Sequence, residues 1–156
     1  MLRFPYLPEP LVGRAPPSLP SGAAARWRPL VPVRIHGPAG RSSFFPRALV
    51  DCGADDTIFP IDVATLLGIP LLPSTGHGLR WRGQAYPLRF AAVELELCDQ
   101  VGSIFRWPAA VGFSPASVRF PLLGLAGCLC FLDATLRGDD RLIELEANRA
   151  YPGTIK

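Results

Sequence analysis

Groups able to move protons are concentrated in one short stretch of this 156-residue chain. Ala48-Leu49-Val50-Asp51-Cys52-Gly53-Ala54-Asp55-Asp56-Thr57 runs from apolar residues into a carboxylate, and the glycine two places on permits a tight turn. A carboxyl group set at a strand end is placed for general acid–base work. The same Asp-x-Gly pattern also serves where Asp caps a turn through its own side chain, so the stretch alone leaves both roles open. Cys52 adjoins no basic residue that could activate its thiol and is followed by Asp55 and Asp56, which argues against a cysteine nucleophile. Of the two histidines, His77 sits between glycines, where a polar turn role outweighs a chemical one. Cys52, Cys98, Cys128 and Cys130 include no Cys-x-x-Cys, and both histidines are distant in sequence. A zinc site is poorly supported, and buried free thiols are the expected state.

The elements around this stretch read as short and mostly extended. Gly and Pro make up 33 of the residues, too frequent for a helical bundle. Leu30 to Gly37, a turn at Gly37-Pro38-Ala39-Gly40, and Phe44 to Val50 predict a hairpin leading into Asp51. Pro60 to Gly68 predicts a short helix, with Asp62 in its first turn and Gly68 at its exit. Val93 to Leu97 and Leu142 to Glu146 alternate as strands, the second entered through a turn at Arg137 to Asp140. That turn accounts for the Arg137-Gly138-Asp139 tripeptide without export or receptor binding. Leu122 to Leu129 is compatible with a second short helix or a buried strand. Trp27, Trp81 and Trp107 are scattered and read as core or contact aromatics.

Leu49-Val50-Asp51-Cys52-Gly53-Ala54-Asp55-Asp56-Thr57 resembles the active-site motif of retropepsin-like aspartic proteases, in which two apolar residues precede Asp-Thr-Gly-Ala or Asp-Ser-Gly-Ala. The order of later elements agrees: a short helix at Ile61 to Leu67, and a glycine-containing flap at Gly76-His77-Gly78-Leu79-Arg80-Trp81-Arg82-Gly83. Alternating strands at Tyr86 to Leu97 and Ile104 to Gly112 follow, then Leu122-Leu123-Gly124, a short helix, and a closing hairpin of Phe131 to Leu136 with Arg141 to Glu146. The resemblance covers roughly residues 27 to 147, and the ordered set is more specific than either motif alone. It implies a mostly β, closed barrel-like half of the acid-protease fold with one or two short helices. It also implies an aspartic endopeptidase with Asp51 as the catalytic acid and Cys52, Gly53 and Ala54 as its loop. Asp55, Asp56, Gly76, His77 and Gly78 would contact substrate, with Leu123 and Gly124 as support behind the loop. Peptide hydrolysis of this kind uses two carboxylates sharing one proton. The chain has one Asp-x-Gly, so the second acid would be Asp51 of a twin subunit in a two-fold dimer, and the pair would titrate as a unit. The chain departs from the family at Cys52, which stands where the family has Thr or Ser and offers only a weak donor and acceptor. It departs again at Leu125, where retroviral members carry an Arg that pairs with an Asp near the site. Arg47 or Arg149 would have to serve Asp55 instead.

Composition limits the alternatives. Apolar residues at 49% and charged residues at 19% suffice for one domain. The net charge of +3 divides unevenly. Residues 1–47 hold seven Arg against Glu9, whereas residues 48–156 hold nine basic and twelve acidic groups. The arginines of the lead are single and unaccompanied by aromatic platforms, which argues against nucleic acid as a partner. Six prolines in residues 1–25 predict an extended or disordered lead, followed by a retropepsin-like domain at 26–150 and a tail at 151–156. No run is long and apolar enough to span a bilayer, and the N-terminus lacks a secretory pattern, so a cytoplasmic protein is expected. The expected partners are a polypeptide substrate and a second copy, with no cofactor and no metal. The rival readings are a dimer of the same fold that grips extended peptides without cutting them, and a structural β domain whose basic lead binds an acidic partner.

Overall fold

The computed structural model describes residues 1–156. Its strands are, in chain order, β1 (Leu2–Pro5), β2 (Leu7–Pro10), β3 (Ala25–Arg28), β4 (Leu30–His36), β5 (Ser42–Val50) and β6 (Ile58–Pro60). Helix α1 (Ile61–Leu67) then precedes β7 (Gly78–Trp81), β8 (Gln84–Pro87), β9 (Arg89–Cys98) and β10 (Ile104–Ser114). The chain ends with β11 (Leu122–Leu123), β12 (Leu132–Arg137), β13 (Leu142–Ala147) and β14 (Thr154–Ile155). β10, β6, β11, β5, β4 and β9 are bonded in that order and β9 pairs again with β10, closing a six-stranded barrel. The mostly β, closed-barrel architecture expected from the sequence is present.

Period-two patterning explains the barrel wall. Ala91, Val93, Leu95 and Leu97 of β9 point inward and are buried, while Glu94 and Glu96 alternate outward. Outside, Glu96 meets His36 Nε2 at 3.3 Å and Arg34 Nε at 3.5 Å, and Glu94 pairs with Arg106. Such half-exposed pairs contribute at most about 1 kcal/mol each, so wall stability rests on the inward apolar set. The β4–β5 hairpin turns at residues 37–41 as the sequence predicts, with a register shift between Val31 and Val33. Pro32 at the shift has no N–H to give the ladder. Inside, Phe59, Phe105, Trp107 and Phe113 are almost wholly buried, and Trp107 Nε1–H donates to the Gly127 carbonyl at 2.9 Å.

Helix α1 buries Val63, Ala64 and Leu67. It stops at Gly68, which takes φ of 66°, a left-handed conformation that glycine adopts cheaply. The Ile69 N–H reaches back to the Ala64 carbonyl at 2.8 Å and the Gly68 N–H to Thr65 at 3.2 Å, the paired closure that satisfies a helix end.

Four sequence expectations are corrected. Residues 1–25 are not a free lead: Leu2 and Phe4 lie in the core on β1, which pairs with β13, and β2 pairs with β3. Glu9 is buried and ion-paired with Arg28 and Arg119, and the long irregular stretch is confined to residues 11–24. Local proline content lost to a strand partner more than a hundred residues away. The tail at 151–156 is likewise built in, through β14 on β10 and Tyr151 against Phe105 and Trp107. Of the two readings open for Leu122 to Leu129, the buried strand holds at Leu122-Leu123, whereas the short helix implied by the resemblance is absent and residues 125–131 form turns with a bridge at Ala126. Of the four thiols only Cys128 is buried, and burial pushes its pKa up to about 12, whereas Cys52, Cys98 and Cys130 are exposed. No helix is long and apolar enough to cross a membrane.

Candidate active site

Asp51 is the first residue after β5, and the reason it sits at a fixed place lies in β11. Leu122 and Leu123 pair in parallel with Leu49 and Val50, while Leu122 also faces Ile58 of β6. β11 therefore lies between the strands that enter and leave the loop of residues 51–57. Five hydrogen bonds join that loop to residues 123–126. The Asp51 N–H donates to Leu123 at 3.1 Å, Leu125 to Ala54 at 2.9 Å, Ala126 to Asp55 at 2.8 Å, and Thr57 to Ala126 at 3.0 Å. The fifth runs from the Gly124 N–H to Thr57 Oγ1 at 3.2 Å.

The contact at Gly124 leaves no room for a side chain. A Cβ there would stand 2.3 Å from the Asp56 carbonyl oxygen and 2.7 Å from that of Ala54. Only glycine permits so close a backbone approach. Leu123 beside it is completely buried. Gly53 is constrained from the other side, because a Cβ on it would lie 3.2 Å from Asp51 Oδ1.

Asp51 is half-buried, and its Oδ1 accepts the Gly53 N–H at 2.9 Å. Capping and acid chemistry are therefore compatible in this carboxylate: the bond that closes the turn also fixes the plane of the group, and Oδ2 has no partner within the chain. Cys52 is exposed, and its Sγ makes no hydrogen bond. Asp55 is exposed and unpaired; neither Arg47 nor Arg149 forms an ion pair with it. Asp56 is half-buried, and its carboxyl pKa is raised by burial and by Asp55, with a smaller opposing pull from His77.

Gly76, His77 and Gly78 precede or begin the β7–β8 hairpin, so they form its base and not its tip. The tip is Arg82-Gly83, both at positive φ, the pattern of a two-residue type I′ turn. His77 Nδ1 lies 2.8 Å from Thr75 Oγ1, its ring stands edge-on to Phe90, and its carbonyl accepts the Leu88 N–H. Ile58, Leu88 and Leu122 form a small buried cluster on which Ala54 of the loop and Leu79 of β7 both pack. The hairpin is thus anchored beside the loop at its base, while β7 and β8 pair only with each other.

Thr57 escaped the sequence reading. It is completely buried, and its hydroxyl holds Gly124 against the loop. The available signal was a polar residue entering the apolar run Ile58-Phe59. The larger concavities lie elsewhere: one of about 1000 Å³ is bounded by residues 13–23, and one of about 600 Å³ lies between that excursion and the β12–β13 turn. Compared with known protein families and with curated proteins, the chain matches none, so the geometry of the 51–57 loop carries the functional reading.

Proposed function

We propose that this chain is one half of a symmetric aspartic endopeptidase in which Asp51 of each of two copies supplies one carboxyl group. The supporting observation is the braced loop. A half-exposed carboxylate has one oxygen fixed by the Gly53 N–H and the other free, on a turn with a glycine-tight backing at Gly124. Two such groups facing each other share one proton, because like charges a few ångströms apart do not both ionise. The ionised member takes a proton from water as its oxygen attacks the peptide carbonyl carbon. The protonated member gives its proton to the carbonyl oxygen, and the tetrahedral intermediate collapses with proton transfer to the leaving amine nitrogen. No cofactor is needed. The substrate would be an extended polypeptide, with the β7–β8 hairpin as its cover.

Hydrolysis of a mixed peptide library by the full chain, from acidic to neutral pH, tests this reading. Replacing Asp51→Asn is expected to lower cleavage by at least about 10³-fold. Equal cleavage by both proteins refutes the assignment, and so does cleavage by a species that stays monomeric. A gripping dimer that does not cut is the second reading, favoured by the unbonded Cys52 thiol beside the acid. Peptide binding without product would select it.

A further inference from the structure

The strand edges left open by the fold are not treated alike. β1 ends in Pro5 and its Arg3 N–H is taken by Asp99 Oδ2 at 3.4 Å; β2 and β8 also carry prolines. β12 is the outer strand of the sheet β1-β13-β12, six residues long, with no proline, and Asp133 through Arg137 are all exposed. An unblunted edge of this length is a template for another strand.

The face of this sheet that packs on the barrel also stops short of its own edge. Leu132, Ile143 and Leu145 on that face are buried, but Leu136 is 51% exposed. Ala134, on the same face, is exposed as well. The apolar side chains at this edge are thus left uncovered.

The β12 sequence, Leu132-Asp133-Ala134-Thr135-Leu136-Arg137, is complementary to itself when reversed. Antiparallel pairing with a second copy centred on Thr135 sets Asp133 opposite Arg137, Ala134 opposite Leu136, and Thr135 opposite Thr135. Opposed residues in such a pair share a face, so the acids meet the bases on one side and Leu136 of each copy covers Ala134 of the other. Centring the pair one residue either way loses the charge match. The required atoms are free. Arg137 uses Nε on Glu144 and Nη1 on Asp140, leaving Nη2, and Asp133 uses Oδ1 on Asn148, leaving Oδ2.

We propose that β12 is the seam along which two copies of this chain join, giving one continuous six-stranded sheet across a two-fold axis. The inference deepens the peptidase reading, which requires two copies, by naming the strand that brings them together. A six-residue seam is small beside the usual area of a stable interface, so a concentration-dependent dimer in the micromolar range is expected.

Sedimentation equilibrium on the full chain tests it with two charge reversals. Asp133→Arg and Arg137→Asp each place like charges opposite one another and are expected to weaken self-association about tenfold or more. An equimolar mixture of the two variants restores both opposed pairs, and only in the mixed dimer. Dimer recovered on mixing is the expected result, and it is insensitive to any loss of the in-chain Arg137–Glu144 bond. A mixture that stays as dissociated as its components, single variants that associate like the wild type, or a wild type monomeric throughout overturns the seam. Asp51→Asn separates the two claims. If it and the wild type dimerise alike but neither cuts peptide, the peptidase reading falls and the seam stands. If the charge variants dimerise normally and still cut, the seam falls and the peptidase reading stands.

Discussion

The loop of residues 51–57 and the β7–β8 hairpin lie beside one another, yet the chain holds them by opposite means. Five hydrogen bonds tie the loop to residues 123–126, and Gly124 seats against it with no space for even a methyl group. The hairpin bonds to itself, turns through two positive-φ residues, and touches the rest of the protein at its base, through Leu79, Leu88 and the His77 ring against Phe90. Bracing is concentrated at the loop and withheld from the hairpin, which suits the roles proposed for them, an aimed acid and a movable cover. A region with few buried contacts opens at low cost, as the proposed cover would require.

If this contrast is right, the same substitution at two glycines has unequal outcomes. Gly124→Ala forces backbone against backbone and is expected to cost more than about 3 kcal/mol, or to prevent folding, in urea denaturation. Gly83→Ala meets no atom within 4 Å but keeps a φ of 80°. Its cost is about 1 kcal/mol of local strain in the hairpin, visible as faster amide exchange at Leu79–Trp81 with a nearly unchanged global midpoint. Equal midpoints for the two variants would abolish the distinction. An effect smaller than that of Gly124→Ala is expected for Thr57→Val, which keeps the shape but leaves the buried Gly124 N–H without its acceptor; about 1–3 kcal/mol follows, again read by urea midpoint.

The smallest effect concerns Asp56. Its folded-state pKa is raised by burial and by Asp55, so the folded chain holds this proton more tightly than the unfolded one. The stability linked to that proton is present below the ordinary carboxylate pKa and is lost as pH rises through the raised value. Asp56→Asn removes the dependence: the variant should gain slightly on the wild type at neutral pH and lose that advantage in acid. Urea midpoints at both pH values check it, and an advantage that grows in acid would reverse the sign.

Much of this was legible in the sequence where a short period or a local turn determined the outcome. The alternation of Val93 to Leu97, the Gly37–Gly40 turn, and α1 with its Gly68 exit are decided within ten residues of chain. What could not be read depends on distant partners. Leu2 and Phe4 become core only because β13 arrives to pair with them, and nothing near Pro5, Pro8 and Pro10 announces it. The hairpin tip within Gly76 to Gly83 was not legible, because Gly76 and Gly78 are stronger turn signals than Arg82, which takes a left-handed conformation that its type seldom adopts. For the candidate site, Asp51 and the glycines around it stood out by type. Thr57 did not, because its importance comes from being wholly buried against Gly124, a residue 67 positions away.

The insertion of β11 between β5 and β6 also sets a schedule. Local pairings such as β4 with β5, or β9 with β10, close over short spans and can form early, whereas β11 must return across some seventy residues to reach Leu49 and Ile58. During synthesis the segment carrying Asp51 has therefore emerged long before the piece that shapes it. Whatever this residue does, it does only after Leu122 and Leu123 have been made, and a fragment ending before them would carry the acid without its aim.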